Sequence, residues 1–204
     1  MIDLRTRLLG IVLAVSALSA SAARAQDVAP AMPGAPRQFE LSVGVGTLSW
    51  KDAAGRGEID SSLLFGLAIE RRLVEFLSIG ASAGYGSTRI AGEDRAADLD
   101  QYTLELVLQG RLAFASLRDL GLVPFLALSY GAIVHDPRPG DLNTRSQTSL
   151  GYGPGLDLDF GPRFGLRVEW RHYSVNLQDV FTPEDRAAIK TGADRIMAAL
   201  SWRF

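Results

Sequence analysis

His172 and Ser174 stand two residues apart near the end of the chain, and Asp194 follows at the start of its last alternating segment. A hydroxyl, an imidazole and a carboxylate are the groups by which a serine becomes a nucleophile. The imidazole takes the hydroxyl proton, and the carboxylate orients the imidazole. Residues two apart in an extended strand share a face, so His172 and Ser174 point the same way. The chemistry therefore needs a neighbouring strand that brings Asp194 to that face. Other chemistries have less to work with. His135 is the only other histidine, beside Asp136, and the sequence has no cysteine, so no metal site is expected. Gly151 to Gly155 (GYGPG) opens no helix and lacks the Lys-Ser/Thr of a phosphate loop. No cofactor is expected.

The elements that must position these residues are strands. In the last segment Ile196, Ala198, Leu200 and Trp202 alternate with Arg195, Met197, Ala199, Ser201 and Arg203, and the segment closes on Phe204. The same period of two runs backwards through the chain. Phe39, Leu41, Val43 and Val45 oppose Glu40, Ser42, Gly44 and Gly46. Leu63, Phe65, Leu67 and Ile69 oppose Ser62, Gly66, Ala68 and Glu70. Leu77 to Gly86, Tyr102 to Arg111, Phe125 to Ala132, Leu150 to Phe160 and Arg163 to Arg171 repeat the pattern. Pro154 falls inside the sixth segment, where it predicts a bulge. Eight strands result, joined by short turns at Arg71–Glu75, Ser116–Gly121 and Gly161-Pro162. Long polar connections lie at Lys51–Glu58, Ser87–Asp100, His135–Gln147 and Val175–Thr191, the last with a helical turn expected at Glu184–Lys190.

Export is legible ahead of the strands. Arg5 and Arg7 precede an apolar run from Leu8 to Ala20 and a small-residue segment ending Ala23-Arg24-Ala25, the layout of a cleaved signal peptide over residues 1–25. About thirteen apolar residues are too few for a membrane-spanning helix, which needs about 20. Residues 26–37, rich in Pro and Ala, form a flexible leader, and residues 38–204 form the strand domain. Without residues 1–25 the chain carries 18 basic and 22 acidic residues, a net charge of −4, and no nucleic-acid partner is expected.

Alternating short and long connections on an even number of strands match outer-membrane barrels, with both termini on the periplasmic side. The expected fold is all-β, an eight-stranded antiparallel transmembrane up-and-down β-barrel with a filled polar lumen. Parity assigns Glu40, Glu70, Glu105, Asp157, Asp159 and Glu169 to the lumen with Arg111, Arg163, Arg167, Arg171 and Arg203. Charge on the lipid face would cost about 2–4 kcal/mol per Arg or Lys at the midplane, whereas inside, acids and bases can neutralise one another. The inward file is otherwise mostly Gly, Ala and Ser, which argues against a soluble barrel with large side chains inside. Phe39, Tyr85, Tyr102, Tyr130, Phe160, Trp202 and Phe204 fit interfacial girdles.

With PFLALSYGA (Pro124–Ala132), GYGPGLDLDFG (Gly151–Gly161), LRVEWRHYS (Leu166–Ser174) and the terminal LSWRF, the chain resembles the OmpA-like family of small outer-membrane β-barrels over residues 38–204. The resemblance implies outer-membrane lipid and lipopolysaccharide as surroundings. It implies periplasmic chaperones and the barrel-insertion machinery as assembly partners, with Leu200, Trp202 and Phe204 as the C-terminal insertion signal. It implies no shared chemistry, and with the chain ending at the barrel it implies no peptidoglycan-binding domain. His172-Tyr173-Ser174 also resembles the His-x-Ser of the PagL lipid A deacylases, eight-stranded barrels with an outward Ser, His and Glu. Carried over, Ser174 is the nucleophile, His172 the base, and Asp194 stands where that family has Glu. That family follows its Ser with Asn, where this chain has Val175 and then Asn176, and its loop to the last strand is shorter. The expectation is a non-catalytic outer-membrane barrel with a structural or loop-mediated role in the bacterial envelope, its loop ligand and oligomeric state open. The alternatives are a lipid A acyl hydrolase and a narrow pore for small or hydrophobic solutes.

Overall fold

Side chains that alternate between apolar and polar make a strand with two unlike faces, and a sheet of such strands escapes unpaired edges only by closing on itself. The computed structural model, which describes residues 39–51, 58–91, 96–112, 114–138, 144–177 and 189–204, shows that closure. The strands are β1 (Phe39–Trp50), β2 (Glu58–Ile59), β3 (Ser62–Val74), β4 (Leu77–Ala91), β5 (Ala96–Arg111), β6 (Leu122–Arg138), β7 (Arg145–Phe160), β8 (Phe164–Leu177) and β9 (Ile189–Arg203). One helical turn, α1 (Ala115–Arg118), lies between β5 and β6. The order around the barrel is β1-β3-β4-β5-β6-β7-β8-β9, neighbouring strands are antiparallel, and β9 returns to β1 with Glu40 opposite Arg203 and Trp50 opposite Ala193. The two-residue β2 continues the line of β3 along β4, so the barrel has eight staves. The signal peptide and leader expected over residues 1–37 lie outside the described residues.

The burial pattern is that of a soluble protein turned inside out. Val43, Phe65, Leu106, Tyr130 and Leu200 are 58–68% exposed on the outer face, whereas Glu105, Asp157, Arg167 and Arg195 are at most 4% exposed within. Aromatic side chains mark two levels. Phe39 stacks on Phe204 (6.0 Å) beside Trp202 at the end that carries the termini and short turns. Tyr85 and Tyr102 pack at 5.3 Å towards the end that carries the long connections.

Several elements differ from the sequence expectation. The connections expected at Ser87–Asp100 and His135–Gln147 are largely ladder. Ser87 pairs with Asp100 and Ala91 with Ala96, and β6 runs to Arg138 with His135 opposite Arg145. Beyond the lipid belt the outer face no longer has to be apolar, so the alternation fades while the hydrogen bonding continues. Pro154 makes no bulge. Tyr152 opposes His172 and Gly155 opposes Glu169 in unbroken register, with pairing to β8 missing only at Gly153 and Pro154, because proline has no N–H to donate. A register shift lies instead between Arg72 and Val74, at the β3–β4 turn. The turn at Ser116–Gly121 contains the end of α1 and closes on Gly121 at φ 72°. Of the expected helical turn at Glu184–Lys190, residues 184–188 lie outside the described residues, and Ile189 and Lys190 begin β9 as strand.

The lumen also departs from an all-polar filling. Leu48, Ile133, Tyr173, Val175 and Ala193 are at most 1% exposed and form an apolar plug at the long-connection end, with Trp50 against it. Their parity is inward, but they sit outside the stretch in which small residues and charges dominate that face.

Candidate functional site

Two sets of side chains carry chemistry, one inside the barrel and one outside. Inside, the charges divide into two clusters. Towards the termini, Arg167 on β8 donates from Nε to Asp157 Oδ1 (2.8 Å) and from Nη2 to Glu40 Oε1 (2.7 Å), and also pairs with Glu70. Arg111 reaches Glu40 at 3.2 Å and Asp157 at 3.4 Å. Arg203 reaches Glu40 at 2.8 Å and pairs with Asp159. Nearer the plug, Arg171 and Arg195 share Glu105 and Glu169: Arg171 at 3.0 Å and 2.8 Å, and Arg195 at 3.1 Å from Glu105. Hydroxyls of Ser82 (3.0 Å) and Ser78 (3.2 Å) complete the coordination of Glu105 and Glu70. A cavity of about 30 Å³, bordered by Gly44, Gly66, Met197 and Ala199, lies between the clusters. It is large enough for a water or two.

Ten of the eleven charges expected in the lumen are therefore in ion pairs there. Arg163 is the correction: it lies in the β7–β8 turn, exposed, because the strand begins one residue later at Phe164 and parity does not extend into a turn. Arg195 takes its place in the network. Its inward parity, shared with Arg203, was the signal for it.

Outside, β8 and β9 bring His172 opposite Asp194 and Ser174 opposite Gly192. The His172 Nδ1 and Asp194 Oδ1 are 2.7 Å apart. The other carboxylate oxygen of Asp194 is 3.3 Å from Nζ of Lys51, the residue that follows β1 across the barrel seam. Sequence reasoning did not find Lys51, because the register of the closure is needed to place it. The imidazole packs edge-on to Tyr152 (5.5 Å) and near Trp170 (6.4 Å). Its free edge lies over Gly192: a β-carbon there would be 2.9 Å from Cε1 and 3.5 Å from Nε2. With Nδ1 engaged by the carboxylate, Nε2 is the nitrogen on the side of Gly192, the residue opposite Ser174. The Ser174 hydroxyl is exposed and makes no hydrogen bond with the imidazole.

At the C-terminus, Leu200 and Trp202 face outward, 68% and 45% exposed. Phe204 exchanges backbone hydrogen bonds with Phe39 at 3.2 and 3.0 Å. Among the described residues no group of three or more His, Cys, Asp or Glu is arranged to hold a metal ion.

A family model described as outer membrane protein beta-barrel domain matches residues 10–204. No curated protein matches the chain in sequence. Among solved structures it is similar to Neisserial surface protein A, with 11% identity and a TM-score of 0.62 over 81% of this chain and 97% of that one. It is also similar to OprG from Pseudomonas aeruginosa, with 16% identity and a TM-score of 0.58 over 83% and 96%. The attachment invasion locus protein Ail of Yersinia pestis matches with 16% identity and a TM-score of 0.50 over 83% and 100%. At these identities the likeness is one of fold.

Proposed function

The chain belongs to the outer membrane protein β-barrel domain family and is a bacterial outer-membrane protein, and from that premise we propose that it acts without catalysis, as an envelope scaffold whose long connections meet partners outside the cell. The observation that carries this reading is the filled lumen. Paired Arg and carboxylate side chains occupy its middle, and Leu48, Ile133, Tyr173 and Val175 close its long-connection end. Such a lumen favours a rigid support over a conduit. On this reading residues 1–25 direct export and are removed, residues 26–37 form a leader, and Leu200, Trp202 and Phe204 present the insertion signal to periplasmic chaperones and the insertion machinery. Cells lacking the protein, complemented either with the whole barrel or with a barrel whose long connections are shortened, test the role. Restoration of envelope integrity and surface binding by the shortened form would count against loop-mediated action.

The 2.7 Å contact between His172 and Asp194 favours a second reading, ester hydrolysis of an acylated lipid. In that reaction His172 Nε2 takes the Ser174 proton as Oγ attacks the ester carbonyl carbon. The ester C–O bond breaks, and the proton passes to the departing alkoxide. Water then releases the fatty acid from Ser174 by the same route. Incubation with lipopolysaccharide and mass measurement of lipid A separates the readings: loss of one acyl chain, abolished by Ser174→Ala, establishes hydrolysis, and an unchanged mass supports the scaffold.

A further inference from the structure

Lys51 is placed with more care than an exposed lysine needs. Its amide donates to the Gly192 carbonyl (2.8 Å), and its carbonyl accepts the Thr191 hydroxyl (2.9 Å). Its ammonium touches Asp194 Oδ2 at 3.3 Å, yet the side chain remains 61% exposed. The Lys51 stem and the His172 edge converge over Gly192, with Lys51 Cδ at 3.5 Å from the position of a β-carbon there. Together they cover the outer face of Gly192, the residue opposite Ser174. Trp170 and Tyr152 flank the imidazole, and interfacial aromatics mark the level of lipid headgroups. An outward ammonium at that level meets headgroups and not hydrocarbon.

We propose that Lys51 is a recognition residue for the phosphate of an acylated outer-leaflet lipid, held so that the adjoining acyl ester lies beside Ser174. An ammonium and a phosphate form a charge-assisted contact, and Asp194 keeps the lysine stem extended along the face while its second oxygen holds His172. The phosphate has two sources, the phosphorylated sugar of lipopolysaccharide and the phosphodiester of a glycerophospholipid. The position of the ester rests on the hydrolytic reading above; the binding does not.

The test uses the mature barrel in nanodiscs and measures quenching of tryptophan fluorescence by bromine-labelled lipid A, phosphatidylglycerol and phosphate-free diacylglycerol, with fatty-acid release followed in the same samples. Lys51→Ala and Lys51→Met are expected to weaken binding of the phosphate-bearing lipid about fivefold, the worth of one surface lysine. Lys51→Arg should retain binding, and heat-modifiable migration confirms that each variant is folded. Preference for lipid A assigns the sugar phosphate and preference for phosphatidylglycerol the phosphodiester; either supports the proposal. Equal binding by the parent and Lys51→Ala, or equal binding of diacylglycerol, overturns it. Lys51-dependent binding without fatty-acid release supports the recognition and overturns hydrolysis. Release that is indifferent to Lys51 overturns the recognition and leaves hydrolysis standing.

Discussion

Arg167 and Asp157 face each other across the β7–β8 pair, Nε to Oδ1 at 2.8 Å, with the arginine 4% and the aspartate 1% exposed. The same guanidinium also serves Glu40 and Glu70, so one cation on β8 ties together carboxylates from β7, β1 and β3. Breaking a buried pair from one side strands the remaining charge, at about 3–5 kcal/mol, whereas replacing both partners with apolar groups is far milder. Arg167→Ala takes the guanidinium from Glu70 altogether and leaves Glu40 to Arg111 and Arg203 and Asp157 to Arg111. Urea unfolding in lipid vesicles should show it losing stability at the upper end of that range, and Asp157→Asn should lose less, since Arg167 keeps two partners.

Glycine is required where strands approach closely. A β-carbon at Gly131 would lie 2.0 Å from the Leu104 carbonyl oxygen, whereas one at Gly110 would meet nothing nearer than 4.0 Å. Gly131→Ala must push β6 away from β5, where Gly131 opposes Glu105. Its cost is expected at about 1–3 kcal/mol, the usual range for overpacking. Gly110→Ala should be close to neutral. The temperature at which folded migration is lost on a denaturing gel separates the two, and equal midpoints would contradict the close approach.

The lipid face makes the opposite demand. Leu200 and Leu106 are 68% and 63% exposed and lie within apolar files. Either changed to Arg places a charge in hydrocarbon, at about 2–4 kcal/mol near the midplane and less near the rims. Leu106→Arg, in the middle of β5, is therefore expected to destabilise more than Phe160→Arg at the terminal rim. Stability in vesicles of matched lipid composition checks the order.

What was legible in the sequence follows from the same demands. Leu63, Phe65, Leu67 and Ile69 alternate because lipid touches every second residue, so the strands and their faces could be read directly. Thr88 to Ala91 and Ala96 to Asp98 sit beyond the lipid, where nothing enforces alternation, and their ladder emerged only in the fold. Parity gave the face of each lumen charge but not its partner: the reach of Arg167 from β8 to Glu70 on β3 depends on barrel diameter. His172 and Asp194 could be matched from sequence because their strands form a hairpin. Lys51 could not, since its place depends on the register of β1 against β9.

Conduction gives the last test. An ion entering from the long-connection end would have to shed water against Leu48, Ile133, Tyr173 and Val175. It would then displace guanidinium groups from Glu105 and Glu169, and beyond them from Glu40 and Asp157. Each of the three barriers closes the path by itself, so removing one leaves the others. The parent protein in planar bilayers should give no discrete conductance steps. Leu48→Ser with Val175→Ser, which admits water to the plug, should also stay silent, because the ion pairs below are untouched. Arg171→Ser with Arg195→Ser, added to that pair, should stay silent as well, because Arg167 and Arg111 still close the lumen against Glu40 and Asp157. Steps from the parent alone would show that the lumen is a path and not a filled support.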